Sequence, residues 1–181
     1  NAPINSWGVG THMVTGGNES SFTGVYKLAA RHDAKSDSMI PAMKFSDNPA
    51  KTTNPGIKNV YRLFDENGMA CADILTLEDE TIEVGKENKF YHPMVDYRQF
   101  NFTPAKIEPL LKKRLENGER LEKRLPDSEQ LIISRNTMQA QLETFDESYK
   151  RLLNPHIYKV SLSENLKDLK KKFIEDNLAL R

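Results

Sequence analysis

The sequence predicts an α+β fold in which antiparallel strands and hairpins come first and helices last. Two Asn-Gly pairs, Asn67-Gly68 and Asn117-Gly118, stand between apolar-bearing runs, the strongest short-range hairpin signal. Short alternating segments punctuated by Pro, Gly and Asn fill the chain as far as Pro109. Beyond Pro126 the apolar residues return instead at helical intervals: Leu131, Met138, Leu142, Phe145, Tyr149 and Leu152 step by sevens, fours and threes.

The 181 residues suffice for one domain with its own core, since a chain of this size buries roughly 70% of the surface its unfolded form exposes. Only 38% of the residues are hydrophobic and 29% are charged, which suits a soluble protein with much exposed surface or a piece of something larger. Lys and Arg number 26 against 26 Asp and Glu, so no net field draws the chain to nucleic acid or to an anionic membrane. Cys71 is the single cysteine, which rules out an internal disulfide and fits a reducing compartment. No apolar run approaches the ~20 residues of a membrane span, and no leader is legible, so the expected location is cytoplasmic.

Taken in order, residues 4–7 read as a short strand running into Gly8-Val9-Gly10-Thr11, followed by a loop at 16–21. Residues 25–28 and 40–45 are strand candidates, able to pair across the polar connection 31–38. Asp47-Asn48-Pro49 and Asn54-Pro55-Gly56 are turn signals. Residues 59–64 and 69–77 then form a hairpin across Asp65-Glu66-Asn67-Gly68. Tyr91-His92-Pro93 and Phe100-Asn101-Phe102-Thr103-Pro104 imply extended segments and turns. Residues 110–123 have the composition of a charged helix, but Asn117-Gly118 at their centre favours a second hairpin. Asp127 and Gln130 form a capping pair for a helix that Asn154-Pro155 ends. Residues 157–162 alternate as a strand. Ser163 caps a last helix with Leu166, Leu169, Phe173 and Leu178 on one side and Lys167, Lys170, Lys171 and Lys172 mostly outward.

The site-like motif is the glycine bend after the opening strand. Phosphate binding needs backbone N–H groups converging on one point, which glycines permit without steric cost, and a following hydroxyl adds a donor. Where such a bend opens a helix, unpaired N–H groups and the dipole add attraction for an anion. Gly8, Gly10 and Thr11 are therefore the candidate phosphate-binding residues, although Gly-x-Gly-Thr alone is also the form of an ordinary strand-ending turn.

Read together, Ile4-Asn5-Ser6-Trp7-Gly8-Val9-Gly10-Thr11, Gly24-Val25-Tyr26-Lys27-Leu28 and the run from Met43 to Arg62 resemble nicotinate phosphoribosyltransferase. The resemblance is dense over the first third of the chain and looser through Glu108-Pro109-Leu110-Leu111 and the terminal strand and helix. It implies that residues 3–24 derive from the last strand or strands of a type II phosphoribosyltransferase α/β barrel and that 25–181 form a strand-rich and helical C-terminal domain. It further implies that the whole enzyme joins nicotinate to phosphoribosyl diphosphate, giving nicotinate mononucleotide and pyrophosphate with ATP hydrolysis, and that it uses Mg²⁺. Gly8, Gly10 and Thr11 would hold the ribosyl 5′-phosphate. The phosphorylatable histidine of the family lies upstream, so no catalytic residue is assigned here, and the chain alone is expected to show no turnover. Family members pair, so a homodimer is one arrangement open to it. A non-catalytic oligomerisation or interaction module, and a related quinolinate or nicotinamide phosphoribosyltransferase, remain the alternatives.

Other chemistry-bearing residues have plainer readings. His12 follows the bend as a solvated histidine, and His32, His92 and His156 lack metal-ligand spacing, so no metal site is expected. Cys71 reads as a small core residue, and Tyr91, Tyr97, Phe100 and Phe102 as packing. Glu78, Asp79, Glu80 and Glu83 read as a solvent-facing acidic turn, and the lysines of 167–172 as a solvated helix face. Lys27, Lys44, Lys51 and Lys58 lie within the family-like stretch, where one or more would approach ATP or a diphosphate in the complete enzyme.

Overall fold

The structure, a computed structural model, describes residues 6, 8, 10, 13, 15, 16, 24–48, 51–95 and 97–179. Its strands are β1 (Ala30–Asp33), β2 (Ser38–Pro41), β3 (Lys58–Phe64), β4 (Ala70–Leu77), β5 (Asn88–Tyr91), β6 (Gln99–Phe102), β7 (Lys106–Pro109), β8 (Leu115–Glu116), β9 (Glu119–Arg120) and β10 (Lys159–Leu162). Two helices follow the first nine strands, α1 (Asp127–Glu143) and α2 (Glu164–Ala179). The fold is α+β. Among the described residues no helix is long and apolar enough to cross a membrane.

The centre is a six-stranded sheet in the order β6-β5-β10-β4-β3-β7. The β3–β4 hairpin forms where Asn67-Gly68 predicts it, as a tight turn with an extra residue. Gly68 N donates to Asp65 O (3.1 Å) and Asp65 N to Met69 O (3.0 Å). Gly68 sits at φ 76°, and the register shifts between Leu63 and Phe64. The Asn117-Gly118 pair gives the shorter form, β8 and β9 joined by two residues at φ 49° and 84°. The sequence does not disclose β10's partners. It is inserted parallel to β4 and antiparallel to β5, so the chain returns from its far end into the middle of the sheet.

Strand alternation sorts the sheet into two faces. On one, Leu63, Ala72, Ile74 and Phe90 form the core, with Tyr61, Ile82, Phe100, Phe102 and Ile107 packed around them. On the other, Leu75 and Leu162 lie side by side in register, and α2 packs across β4 and β5 with Leu166 fully buried. Ser163 caps α2 as predicted, its Oγ accepting from Leu166 N (3.3 Å). The same hydroxyl donates to Glu80 Oε2 (2.6 Å), which also accepts from Leu77 N (2.6 Å). Glu80 is thus no mere solvent-facing acid: it ties the end of β4 to the start of α2.

Three local expectations are corrected. The first hairpin is β1–β2: its first strand and its turn fall in the stretch read as a polar connection, and its second strand overlaps the 40–45 candidate only at Ile40 and Pro41. Asp33 Oδ2 accepts from Ser36 N and Oγ (3.3 and 2.6 Å) and Asp37 turns at φ 48°, so polar side chains build that turn, while Tyr26 is fully exposed. Helix α1 stops at Glu143, because Asp146 caps a new 3-10 turn, Glu147–Tyr149, by accepting from Ser148 N (2.8 Å). Its N-cap is Pro126 with no side-chain capping bond, and Asp127 Oδ1 accepts from Arg124 instead (3.2 Å). No residue of α1 is buried, and from 111 to 143 every residue is exposed except Leu125.

Candidate functional site

The glycine bend is open. Ser6, Gly8 and Gly10 are exposed, and a Cβ built on either glycine meets no described atom within 4 Å. Met13 N donates to Gly10 O (3.0 Å), so a tight turn follows directly. Thr11, the loop at 17–21 and the opening strand apart from Ser6 lie outside the described residues. Among the described residues, then, no atom crowds the Cβ positions of Gly8 and Gly10.

The family-like run that follows has a different role. Lys44 and Thr53 close a loop: Lys44 N donates to Thr53 Oγ1 (2.9 Å) and Thr53 N to Lys44 O (3.2 Å). Ala29 O accepts from Ala42 N (2.8 Å) and Gly56 N (2.7 Å), anchoring the segment that descends from the bend. Pro55 and Gly56 are buried. Gly56 holds φ +82°, and a Cβ there would come 3.1 Å from Leu77 Cδ2 and 3.6 Å from Leu169 Cδ2. Only glycine fits a backbone that is both left-handed and pressed between β4 and α2. Of the four lysines in the stretch, Lys27, Lys44 and Lys51 are exposed. Lys58 is drawn in: its Nζ donates to the carbonyls of Asn54 (2.9 Å) and Gly56, and burial lowers its pKa. Gly56 and Lys58 thus hold this stretch to the fold.

A second polar centre went unread in the sequence. Arg62 on β3 and Asp73 on β4 stand opposite each other and pair through two bonds, Nε to Oδ1 (2.8 Å) and a terminal guanidinium nitrogen to Oδ2 (2.9 Å). Tyr158 OH donates to Asp73 Oδ1 (3.1 Å), and the guanidinium lies 4.8 Å from the Phe145 ring centre. Phe145, Tyr149 and Tyr158 meet edge to face above it, with centroids 4.9 and 5.3 Å apart. Asp73 holds the guanidinium charged, whereas burial and then the Asp73 charge push the Tyr158 phenol upward. Every member is satisfied within the cluster, so it fastens the 144–158 connection to the sheet and offers no group for chemistry.

Around α2 the lysines are less solvated than predicted. Lys167 Nζ lies 4.0 Å from the Tyr91 ring centre, and Lys170 Nζ donates to Pro93 O (2.9 Å). Tyr91 OH donates to Glu164 (2.8 Å), and that bond, helped by burial, raises its pKa. His92 Nδ1 accepts from Met94 N and Val95 N (3.2 and 3.1 Å), which leaves the ring proton on Nε2. Lys167, Lys170, His92 and Pro93 edge a cavity of about 500 Å³ that Asp47, Lys171 and Glu175 also line, so both signs of charge face it. Phe90 and Phe100 pack at 5.4 Å, and Tyr97 is exposed, so the aromatic run is core and rim, not a platform. Cys71 is half-buried on β4, and burial raises its thiol pKa. Among the described residues no group of three or more His, Cys, Asp or Glu is placed to hold a metal.

The family model for the nicotinate phosphoribosyltransferase C-terminal domain matches residues 57–170. Over 92% of this chain, nicotinate phosphoribosyltransferase of Homo sapiens is 35% identical, and the match takes up 29% of that protein. The Bacillus subtilis (strain 168) enzyme is 32% identical over 91% of the chain and 32% of its own length. A crystal structure of human nicotinic acid phosphoribosyltransferase superimposes with a TM-score of 0.59 at 31% identity, over 67% of this chain and 24% of that one. The chain thus spans about a third of the length of these curated relatives. With the matched region running from the Gly56 anchor through the sheet and into α2, the chain belongs to the nicotinate phosphoribosyltransferase C-terminal domain family.

Proposed function

We propose that these residues form the C-terminal portion of a nicotinate phosphoribosyltransferase, in which the ring nitrogen of nicotinate attacks the anomeric carbon of phosphoribosyl diphosphate. The bond from that carbon to the diphosphate oxygen breaks and pyrophosphate leaves with the electron pair, giving nicotinate mononucleotide in a reaction coupled to ATP hydrolysis. The observation that carries the reading is the order of parts: the glycine bend, followed by the turn that the Met13 N to Gly10 O bond (3.0 Å) closes, stands upstream of the matched domain. In this role the amides of Gly8 and Gly10 and the hydroxyl of Thr11 hold the 5′-phosphate and fix the sugar's orientation. No described cluster here fits Mg²⁺, which would supply charge neutralisation of the diphosphate; its ligands, like the ATP site and the phosphorylatable histidine, would belong to the upstream polypeptide.

Kinetics of the intact enzyme test this. Gly10→Val crowds the cradle and Thr11→Val deletes a charge-assisted hydrogen bond, so each is expected to raise KM for phosphoribosyl diphosphate by ~10–100-fold. Unchanged KM in both variants would refute the phosphate assignment. The 181-residue chain alone is expected to form no nicotinate mononucleotide in a coupled assay, and turnover by it would overturn the division of labour.

A further inference from the structure

The two Asn-Gly pairs that make hairpin turns also carry a reaction of their own. The main-chain nitrogen of a glycine that follows asparagine is shielded by no side chain, and it can attack the asparagine Cγ. Asn48, Asn54 and Asn154 precede proline instead and have no such N–H to use. Asn67 and Asn117 are both exposed, so exposure does not separate them.

Their hydrogen bonds do separate them. Gly68 N, the nucleophile of the first pair, donates to Asp65 O (3.1 Å), while Asp65 Oδ1 accepts from Asn67 N and Met69 N (2.9 Å each). That turn joins strands burying Leu63, Phe64, Ala70 and Ala72, so opening it breaks core contacts. Gly118 N makes no such bond among the described residues. Its hairpin, β8–β9, belongs to the arm 111–143, where Leu125 alone is not exposed, and a lone two-stranded hairpin is marginal in water. Charge acts in the same direction. Residues 111–125 carry six Lys and Arg against three Glu. Lys112 and Arg114 share Glu122, Lys113 takes Glu116 and Arg124 takes Asp127, which leaves Arg120 and Lys123 facing Glu119 alone. Cyclisation passes through a glycine nitrogen that has lost its proton, and a cationic surround favours that anion. At the first turn Asp65 and Glu66 oppose it.

We infer that Asn117 is a site of spontaneous deamidation, and that the β3–β4 turn protects Asn67 from the same fate. Gly118 N loses its proton to water and forms a bond to Asn117 Cγ; the Cγ–Nδ2 bond breaks and ammonia leaves, closing a succinimide. Water then adds to either ring carbonyl, giving aspartate or isoaspartate, so the balance is one water taken up and one ammonia released, with no oxidant or reductant. Both products place a carboxylate where a neutral amide stood. Isoaspartate also lengthens the main chain by one methylene, which a two-residue turn at φ 49° and 84° does not accommodate, so β8–β9 opens. The six-stranded sheet shares no strand with that hairpin and stays intact. Asn117 thus records the age of the molecule on a segment whose loss leaves the core standing.

Peptide mass spectrometry of the intact protein, aged in mildly alkaline buffer at physiological temperature, reads both sites at once. The peptide holding Asn117 is expected to gain the amide-to-acid mass at least ~10-fold faster than the one holding Asn67, with isoaspartate among its products. In urea the two rates are expected to converge within ~3-fold, because the dipeptides are the same and neither turn persists. Asp65→Ala, which removes the acceptor of Asn67 N and Met69 N, is expected to raise the Asn67 rate and leave the Asn117 rate unchanged. Equal rates in the folded protein, or a faster Asn67, would overturn the inference. So would a contrast that persists undiminished in urea, since it would then come from neighbouring residues and not from the fold. An Asn67 rate unmoved by Asp65→Ala would overturn the protection assigned to the first turn.

Discussion

Replacing Asp73 by Leu strands the Arg62 guanidinium against Phe145 without its acceptor. The two side chains are 12% and 15% exposed, so the pair is largely but not wholly dry. Removing one partner of a buried pair costs 3–5 kcal/mol, and residual exposure places this case near ~3 kcal/mol. With a urea dependence of ~2 kcal/mol per molar for a domain of this size, the unfolding midpoint falls by ~1.5 M. Arg62→Met, which leaves a buried carboxylate, is expected to cost about as much. The double variant Arg62→Met/Asp73→Leu leaves no uncompensated charge and is expected to lose only about 1 kcal/mol, the share of the Tyr158 hydroxyl that has lost its acceptor. Urea titration of the wild type, both single variants and the double variant closes the cycle. Additive single effects, or a cost below ~1 kcal/mol for Asp73→Leu, would show that water screens the pair as it screens surface pairs, and the argument would fail.

Gly56→Ala should destabilise by about 2–3 kcal/mol, from the left-handed backbone plus the 3.1 Å approach to Leu77. Gly68→Ala, at φ +76° with nothing within 4 Å, should cost only ~1 kcal/mol, and equal melting temperatures for the two would refute the packing argument. The Tyr158 and Tyr91 phenols are raised above their usual 10.0 and the Cys71 thiol above 9.0, so the folded chain keeps protons that the unfolded chain releases. Stability should therefore be complete below about pH 9 and fall as pH rises beyond it. Lys58, lowered from 10.5, acts with the opposite sign, adding stability as pH rises toward that value. Urea midpoints should drop between about pH 9 and about pH 11, less steeply in Tyr158→Phe, and a flat profile would contradict the burial assigned to these groups. Iodoacetamide should alkylate Cys71 at least ~10-fold more slowly in the folded chain than in urea, and equal rates would disprove its shielding.

What the sequence disclosed depended on how local the cause was. Both Asn-Gly hairpins and the Ser163 cap are written in adjacent residues, and all three stand where the residues imply. The β1–β2 hairpin was misplaced because its turn is made by Asp33, Ser36 and Asp37 side chains, which read as generic polarity. The position of β10 is set by pairing with β4 from more than eighty residues away, and no local signal encodes a parallel partner. The Arg62–Asp73 pair follows from the β3–β4 register, but the shift between Leu63 and Phe64 hides that register from a simple count out from the turn. In the family-like run, the packing of Gly56 and the carbonyl capture by Lys58 depend on β4 and α2, which no local pattern discloses.

The distribution of buried surface bears on how this domain would serve an enzyme. Its core residues fall between Leu63 and Phe90 and again at Leu162 and Leu166, leaving Val25, Tyr26 and Leu28 at 65–101% exposure beside the arm's own exposed apolar residues. Those three lie between the glycine bend and Ala29, whose carbonyl is bonded to Gly56. The sheet therefore grips the segment at one end, while its apolar side chains have no covering neighbour among the described residues. If that neighbour is the upstream barrel, the domain contributes to the reaction by setting where the bend can sit, and loosening the Gly56 anchor should weaken phosphate binding without touching any group that meets the substrate. Gly56→Ala in the intact enzyme should accordingly raise KM for phosphoribosyl diphosphate at temperatures well below its melting point. An unchanged KM there would refute the coupling between the Gly56 anchor and the bend.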